Sequence, residues 1–182
     1  MPRQPEAWGR GFLGAVLAGI CVVSAGTARG QVLSPPTVVT GIGLQKLSAA
    51  RLDAVYRAAN PGAMPRGRVH GLPIVAPGTQ MGPRMSQAAR LIWQGKVFSD
   101  DGATAVNRFF GTSVIRGNLY QGKSWVDGRP SLILDYQGTS LVYGRYRDEI
   151  REVSPGVYLG VMYSRTEKGP QFSKYFAFES RP

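Results

Sequence analysis

Residues 131–163 read SLILDYQGTSLVYGRYRDEIREVSPGVYLGVMY, and this stretch decides the predicted fold. Apolar and polar side chains alternate in it with a period of two, which is typical of β-strands with one buried face. Turn signals interrupt the alternation at Gln137-Gly138 and at Ser154-Pro155-Gly156. Strands joined by such short turns must run antiparallel, because parallel strands need a long crossover connection.

The same pattern extends to both sides of this stretch and predicts six strands. Asp127-Gly128 and Lys168-Gly169-Pro170 supply further turn signals between the alternating runs. A meander of this length is expected to curl into a closed or nearly closed barrel, because closure removes exposed strand edges. The predicted strands are residues 113–120, 131–136, 140–146, 148–153, 156–163 and 172–179.

Short helices are predicted before these strands. Ser48 is a suitable N-cap for a helix that continues to Ala59 and ends before Asn60-Pro61-Gly62. Its apolar face follows the i, i+3, i+4, i+7 spacing of an amphipathic helix. That face consists of Leu52, Val55, Tyr56 and Ala59.

Residues 60–84 are rich in glycine and proline, and we expect an irregular segment with one short strand near residues 68–76. A second short helix is predicted at Ser86–Ile92. A third is predicted at Asp101–Phe110, where Gly111 ends it. The fold class that follows is α+β: short N-terminal helices and then an antiparallel, barrel-like β-meander.

The first 30 residues have the three parts of a secretory signal peptide in the required order. Arg3 and Arg10 make the start positive, residues 12–23 carry no charge, and residues 24–28 are small. Cleavage is expected after Ala28 or Gly30. The mature protein is then periplasmic or secreted, with a flexible lead-in at residues 31–44 and a single domain at residues 45–182.

Two alternatives remain for this N-terminal segment. A membrane anchor needs about 20 apolar residues, whereas the uncharged run has 12. A lipoprotein would be acylated at Cys21, although Ile20 is larger than the small residue that usually precedes such a cysteine. On the signal-peptide interpretation, the mature chain starts near Gln31 and is expected to have no transmembrane segment.

The chain is basic, with 22 Lys and Arg residues against 11 Asp and Glu residues. Removal of residues 1–30 leaves a net charge of about +9 and removes the single cysteine, which excludes disulfides and Cys-ligated metals. The excess is greatest over residues 31–98, where Asp53 is the one acidic residue. No Lys/Arg run typical of nucleic-acid binding occurs. We therefore expect an anionic envelope surface or an acidic small molecule as the counter-charge, with solubility alone as the alternative.

No motif predicts a cofactor or a metal. His70 is the one histidine, and no Asp/Glu cluster lies near it to complete a metal site. It is either a general base or a solvated loop residue. The Gly-x-Ser-x-Gly motif of serine hydrolases is absent, and Gly41-Ile42-Gly43 lacks the third glycine of a nucleotide-binding loop.

The predicted strand near residues 147–153 carries charge on both faces. One face holds Arg147, Glu149 and Arg151, and the other holds Asp148 and Glu152. Whichever face is inward, buried charge must be paired or must meet a ligand. One interpretation is a cross-strand ion-pair ladder with Asp135 or Arg145 as partners. The other is a polar anchor at the base of a ligand pocket.

Aromatic residues are concentrated in the second half of the chain, where most are expected to form the barrel wall and core. A few are candidates for the wall of a pocket, since small-molecule sites combine apolar surfaces with a few polar anchors. The candidate pocket aromatics are Trp93, Trp125 and Tyr136.

Four segments resemble, in order, a family of small bacterial proteins named for a Gly-x-Trp-x-Gly motif. They are residues 67–71, where Val69 occupies the tryptophan position, and then residues 93–98, 156–162 and 175–179. The resemblance covers residues 65–180 and implies a β-rich C-terminal half but no defined activity. The expected architecture is also similar to calycin-type (lipocalin-like) barrels, which hold small apolar molecules.

These observations favour an exported protein of the cell envelope that binds a small, partly apolar ligand. An acidic or lipid-like molecule is one form that this ligand could take. One alternative is a cofactor-free lyase or isomerase that uses carboxylate and tyrosine groups in the barrel pocket. Another is a non-catalytic interaction protein whose basic N-terminal half binds an anionic surface.

Overall fold

The computed structural model of the protein describes residues 39–180. The predicted signal peptide and most of the predicted lead-in lie outside the described residues. Within the lead-in, helix α1 (Gly41–Leu44) forms one turn, and its Leu44 side chain is buried. Among residues 39–180, no helix combines the length and the apolar character needed to cross a bilayer.

Eight strands within the described residues form a closed barrel in which every neighbouring pair is antiparallel. The last strand pairs with the first, so the sheet has no free edge. The predicted antiparallel barrel is therefore confirmed. The strands are β1 (Gly67–Pro73), β2 (Trp93–Phe98), β3 (Thr104–Phe109), β4 (Thr112–Lys123), β5 (Pro130–Asp135), β6 (Tyr146–Ser154), β7 (Val157–Thr166) and β8 (Gly169–Glu179).

The helix after Ser48 is confirmed as α2 (Ala49–Ala58), and the Ser48 hydroxyl accepts a hydrogen bond from the Arg51 amide. The next helix, α3 (Gly82–Ala89), begins and ends earlier than the predicted range of 86–92. Pro83 lies in its first turn, where proline needs no amide hydrogen.

The predicted helix at residues 101–110 is wrong, because residues 104–109 form β3. Ser99 and Asp101 form a turn in which the Asp101 carboxylate accepts a hydrogen bond from the Ala103 amide, 2.9 Å away. An aspartate in this position caps a turn as well as a helix, so the local signal was ambiguous. The predicted strand at 140–146 is also wrong. Residues 140–145 form a turn-rich connection in which Leu141 and Val142 are exposed.

Two hydrophobic cores lie on opposite faces of the barrel wall. The first fills the barrel interior with side chains such as Val69, Phe98 and Ile150. The second lies outside the wall, where Leu52 and Tyr56 of α2 pack with Leu159 of β7. The N-terminal helices thus cover one outer surface of the barrel and do not enter it.

The two ends of the barrel differ. At one end, residues 60–66 cross the opening, Met64 packs against the interior core, and the Tyr158 hydroxyl donates to the Ala63 carbonyl over 2.9 Å. At the other end β1, β3, β5 and β7 finish and the even-numbered strands begin. We call this second end the mouth, and α3 lies beside it in the connection from β1 to β2.

Candidate functional site

A cavity of about 220 Å³ lies at the mouth and reaches into the barrel interior. Most of its wall is apolar, with side chains contributed by β2, β3, β7, β8 and the connections beside them. A few polar side chains join this wall. The apolar group includes Ile92, Trp93, Phe109, Tyr143, Met162 and Phe176, and the polar group is Lys96, Asn107, Tyr136, Asp148 and Lys174.

Strand register places the polar side chains on the inner face. Lys96 of β2 pairs directly with Asn107 of β3, and Asp148 of β6 pairs with Leu134 of β5 and Met162 of β7. Directly paired residues of antiparallel strands project to the same face of the sheet. Because Leu134 and Met162 belong to the interior core, Asp148 must also point inward.

Four polar side chains form a hydrogen-bonded network that we call the inner cluster: Lys96, Asn107, Tyr136 and Asp148. The Lys96 ammonium donates to Asp148 Oδ2 at 2.7 Å, Asn107 Oδ1 at 2.8 Å and Tyr136 Oη at 3.0 Å. Tyr136 in turn donates to Asp148 Oδ2 over 2.7 Å, and the Asn107 amide donates to Tyr136 Oη over 2.8 Å. All three donors of the ammonium are therefore used.

The electrostatics of the inner cluster follow from its burial. Lys96 is 1% exposed, and this burial lowers the pKa of its ammonium, while the nearby Asp148 carboxylate opposes the shift. Burial also raises the pKa of the Tyr136 phenol well above 10.0, and the charge of Asp148 adds to that effect. Tyr136 is thus a neutral donor at physiological pH.

One atom of the inner cluster has no hydrogen-bond partner among the described residues. Asp148 Oδ2 accepts two hydrogen bonds, whereas the buried Oδ1 of the same carboxylate accepts none from residues 39–180. A buried polar atom without a partner is costly, at about 1–3 kcal/mol. The unpartnered oxygen thus belongs to a residue that lines the cavity.

The opposite face of β6 holds a second buried network, which we call the outer cluster. Arg151 is fully buried and forms a two-point ion pair with Asp127, at 2.7 and 2.8 Å, and it also donates to the Tyr56 carbonyl at 3.1 Å. Glu149 accepts from the Trp125 amide at 2.8 Å and lies 3.1 Å from Arg147 Nε. This cluster lies between β6, helix α2 and the connection from β4 to β5, away from the cavity.

The sequence-predicted site residues therefore fall into two groups, those that line the cavity and those that do not. Trp93, Tyr136 and Asp148 line the cavity. The other members of the set lie elsewhere. Arg147, Glu149 and Arg151 belong to the outer cluster, where Trp125 stacks on Arg147, and Asp135 pairs with Arg165 while Arg145 lies exposed over the Tyr146 ring.

Neither Asp135 nor Arg145 forms the expected ion-pair ladder with residues 147–151. Asp135 binds Arg165 at 2.6 Å, and the partners of the strand's charges are Lys96 for Asp148 and Asp127 for Arg151. Asp135 lies directly opposite Arg147 in the sheet, but its carboxylate binds Arg165, and the Arg147 guanidinium lies against Glu149 of its own strand.

The cavity wall also contains residues that the sequence did not single out, among them Lys96, Asn107, Met162 and Phe176. Lys96 lies in the segment Trp93-Gln94-Gly95-Lys96-Val97-Phe98, where a single lysine stands among apolar residues. That pattern is the signal that could have identified it. Among residues 39–180, no three His, Cys, Asp or Glu side chains converge in a way that could hold a metal ion.

No protein-family model and no curated protein matches this sequence. A structural match is a crystal structure of a protein from Thermomonospora curvata. It is 15% identical, covers 75% of this chain and 90% of its own chain, and superposes with a TM-score of 0.50. At this identity the match supports the barrel fold alone.

Proposed function

We propose that the protein binds a small, partly apolar ligand in the barrel cavity, with a hydrogen-bond donor of the ligand directed at Asp148. The observation that carries this proposal is the unpartnered Oδ1 of Asp148, a buried carboxylate oxygen on a residue that lines the cavity. The remaining hydrogen-bonding capacity of the inner cluster is largely satisfied within the protein. A ligand donor is the group that completes it.

The cavity volume restricts the ligand to a small ring system. An apolar cavity of about 150 Å³ in another protein binds benzene, and this one measures about 220 Å³. The rings of Trp93, Phe176 and Tyr143 offer apolar surface to such a molecule. A bicyclic or substituted monocyclic ligand fits these dimensions.

The charges at the cavity set the polarity that the ligand needs at each end. Lys96 and Asp148 are both buried and cancel each other, which favours a neutral group at the deep end. Lys174, by contrast, lines the mouth of the cavity and is exposed. An acidic substituent at the outer end of the ligand would meet this ammonium, in keeping with the basic composition of the chain.

We place this binding activity outside the cytoplasm, in the periplasm or the medium. The support is the charged, apolar and small-residue order of residues 1–30. N-terminal sequencing of the protein recovered from its host should begin between Arg29 and Gln31.

Two probes of the same shape test the cavity proposal. Indole carries an N–H donor, and indene has the same ring skeleton without one. We expect indole to bind at least about ten-fold more tightly by calorimetry, because a hydrogen bond to a charged acceptor contributes about 1.5–3 kcal/mol. Lys96→Met combined with Asp148→Leu should abolish this preference while indene binding remains.

The matched control removes the ion pair of the outer cluster by combining Arg151→Met with Asp127→Asn. This pair lies on the same strand but away from the cavity, so the preference for indole should persist in the folded variant. Equal affinities of the wild-type protein for indole and indene would contradict the role of Asp148. Failure of both probes to bind would contradict the cavity proposal altogether.

A second candidate function is proton-transfer catalysis, such as a cofactor-free isomerisation. It is favoured by the lowered pKa of Lys96, because a lysine that releases its proton becomes an amine base beside the apolar cavity. The test is exchange of the α-protons of 1-indanone in deuterated water, followed by NMR. Exchange no faster than with the Lys96→Met variant would exclude Lys96 as the base.

A further inference from the structure

Five large apolar side chains are exposed on three separate connections at the mouth. Leu91 and Ile92 lie between α3 and β2, Phe110 lies in the β3–β4 turn, and Leu141 and Val142 lie between β5 and β6. We call these five residues the rim. Leu141 is fully exposed, and Leu91, Phe110 and Val142 each expose more than two thirds of their surface. Scattered exposed apolar residues need no explanation, but a group confined to one end of a barrel indicates an interaction surface.

Basic side chains surround the rim. Arg90 adjoins Leu91, and Arg108 lies near the end of β3. Arg145 is the last residue of the connection that carries Leu141, and Lys174 lines the opening of the cavity. The carboxylates at this end are largely neutralised, since Asp148 pairs with Lys96 and Asp135 pairs with Arg165. Glu167, in the β7–β8 turn, is followed directly by Lys168.

An open polar hollow of about 640 Å³ lies beside the rim. Its lining brings together two guanidinium groups, those of Arg90 and Arg108, with the side chains of Gln87, Gln94 and Leu91. Arg108 donates from Nη2 to the Gly111 carbonyl at 2.9 Å, and its buried Nε has no partner within residues 39–180. Two guanidinium groups next to exposed apolar side chains provide donors suited to a phosphate at an apolar boundary.

We propose that the mouth of the barrel docks on an anionic lipid bilayer. The apolar rim enters the boundary between headgroups and acyl chains, and Arg90 and Arg108 bind lipid phosphates in the hollow. The combination of apolar and cationic side chains selects lipid over a purely apolar protein face, which would leave the guanidinium groups without counter-charges.

Docking in this orientation turns the cavity opening toward the bilayer. Ile92 belongs both to the rim and to the cavity wall, so the two surfaces are continuous. If the cavity binds an apolar ligand as proposed above, the ligand passes between membrane and barrel without crossing bulk water. This last consequence rests on the proposed function, whereas the docking itself does not.

The first experiment locates the contacting face on the full chain. A polarity-sensitive fluorophore is attached to Leu141→Cys or to Ile42→Cys, each combined with Cys21→Ser so that one thiol remains. Ile42 is a matched control, because its side chain is exposed on α1, a helix that contacts β7 and β8. Vesicles of phosphatidylcholine with phosphatidylglycerol should shift the emission of the position 141 label to the blue and leave the position 42 label unchanged.

The second experiment measures affinity by sedimentation with the same vesicles. Arg90→Gln combined with Arg108→Gln should weaken binding about thirty-fold, since each basic residue near an anionic surface contributes about 1 kcal/mol. Leu141→Ser combined with Val142→Ser should weaken it at least about ten-fold. The controls Arg68→Gln and Ile42→Ser carry exposed changes away from the mouth and should bind like the wild-type protein.

Several outcomes would overturn the docking proposal. They are equal binding to phosphatidylcholine alone, a blue shift at position 42, or rim variants that sediment like the wild-type protein. Concentration-dependent self-association that the rim variants abolish, without vesicle binding, would assign the surface to a second copy of the chain. Indole affinity separates the two proposals, because the rim variants should keep it while they lose vesicle binding.

Discussion

The inner and outer clusters are built from adjacent residues of the same strand, β6, but these residues have different roles. Asp148 points into the barrel and reaches Lys96, whereas Glu149 and Arg151 point outward beneath α2. In the outer cluster, the Arg151 guanidinium has an ion-pair partner and several backbone carbonyl acceptors. In the inner cluster, one oxygen of the cavity-lining Asp148 carboxylate has no partner in the part of the chain that the structure describes. The saturated guanidinium of Arg151 indicates a structural role, and the unpartnered oxygen on the cavity-lining Asp148 indicates a binding role.

The two clusters also differ in their most deeply buried cation, which is Arg151 in the outer cluster and Lys96 in the inner cluster. Arginine stays charged at any accessible pH, so Arg151 needs a permanent counter-charge wherever it is buried. Lysine can release its proton when burial lowers its pKa, as it does for Lys96. The outer cluster is therefore expected to be fixed, and the inner cluster is expected to respond to pH and to bound molecules.

The largest expected loss of stability follows a substitution in the outer cluster. Arg151→Met leaves Asp127 and the carbonyls of Tyr56 and Pro130 without their donor. We expect the free energy of unfolding to fall by about 3–5 kcal/mol, measured by denaturant titration. The indole preference of the protein that remains folded should not change. A wild-type unfolding midpoint for this variant would contradict the structural role of the outer cluster.

The next largest loss of stability is expected for a substitution in the inner cluster. Asp148→Asn should lower the free energy of unfolding by about 2–3 kcal/mol at neutral pH, because the Lys96 ammonium loses its counter-charge. Since the unfolded chain then holds a proton that the folded chain has released, the deficit should shrink as pH rises toward 10.5. The matched variant Asp127→Asn should show no such recovery, because Arg151 cannot release its proton. If the free energies of unfolding of the two variants changed in parallel with pH, the proposed difference between the two clusters would be contradicted.

The barrel was predictable because a period of two and short turns are local signals, and from residue 112 onward they were misleading at residues 140–145 alone, which form a turn-rich connection. The hairpin of β2 and β3 was missed because the turn at Ser99–Asp101 shares its chemistry with a helix N-cap. That hairpin supplies Lys96 and Asn107, so the sequence identified Tyr136 and Asp148 of the inner cluster and missed their two partners. The inward face of β6 was undetermined because both of its faces carry charge, and only closure of the barrel selects one.

A smaller change in the free energy of unfolding is expected at alkaline pH. The folded pKa of Tyr136 is raised well above 10.0, and burial raises that of Tyr158 to about 12. A raised folded pKa means that stability is fully present below pH 10 and is lost as pH rises beyond it, because the unfolded tyrosine ionises first. The free energy of unfolding should fall above pH 10, and Tyr136→Phe should reduce the slope by up to about 1.4 kcal/mol per pH unit. An unchanged slope would mean that Tyr136 ionises freely in the folded protein.

The smallest effect is expected in acid and belongs to the outer cluster. The hydrogen bond from Arg151 lowers the pKa of Asp127 below 3.8, so its contribution is complete above that pH and is lost as pH falls through the folded value. Asp127→Asn should therefore flatten the acid limb of the stability profile, followed by circular dichroism. Acid limbs of equal steepness in variant and wild-type protein would contradict this assignment.

The most direct test of the central claim observes both faces of β6 at once. Carbon-detected NMR resolves the side-chain carboxyl carbons of Asp148 and Glu149, which are adjacent in sequence and face opposite sides of the wall. Addition of indole should move the Asp148 carboxyl resonance in a saturable manner and leave that of Glu149 in place. Movement of the Glu149 resonance alone, or of neither resonance while indole binds, would contradict the account.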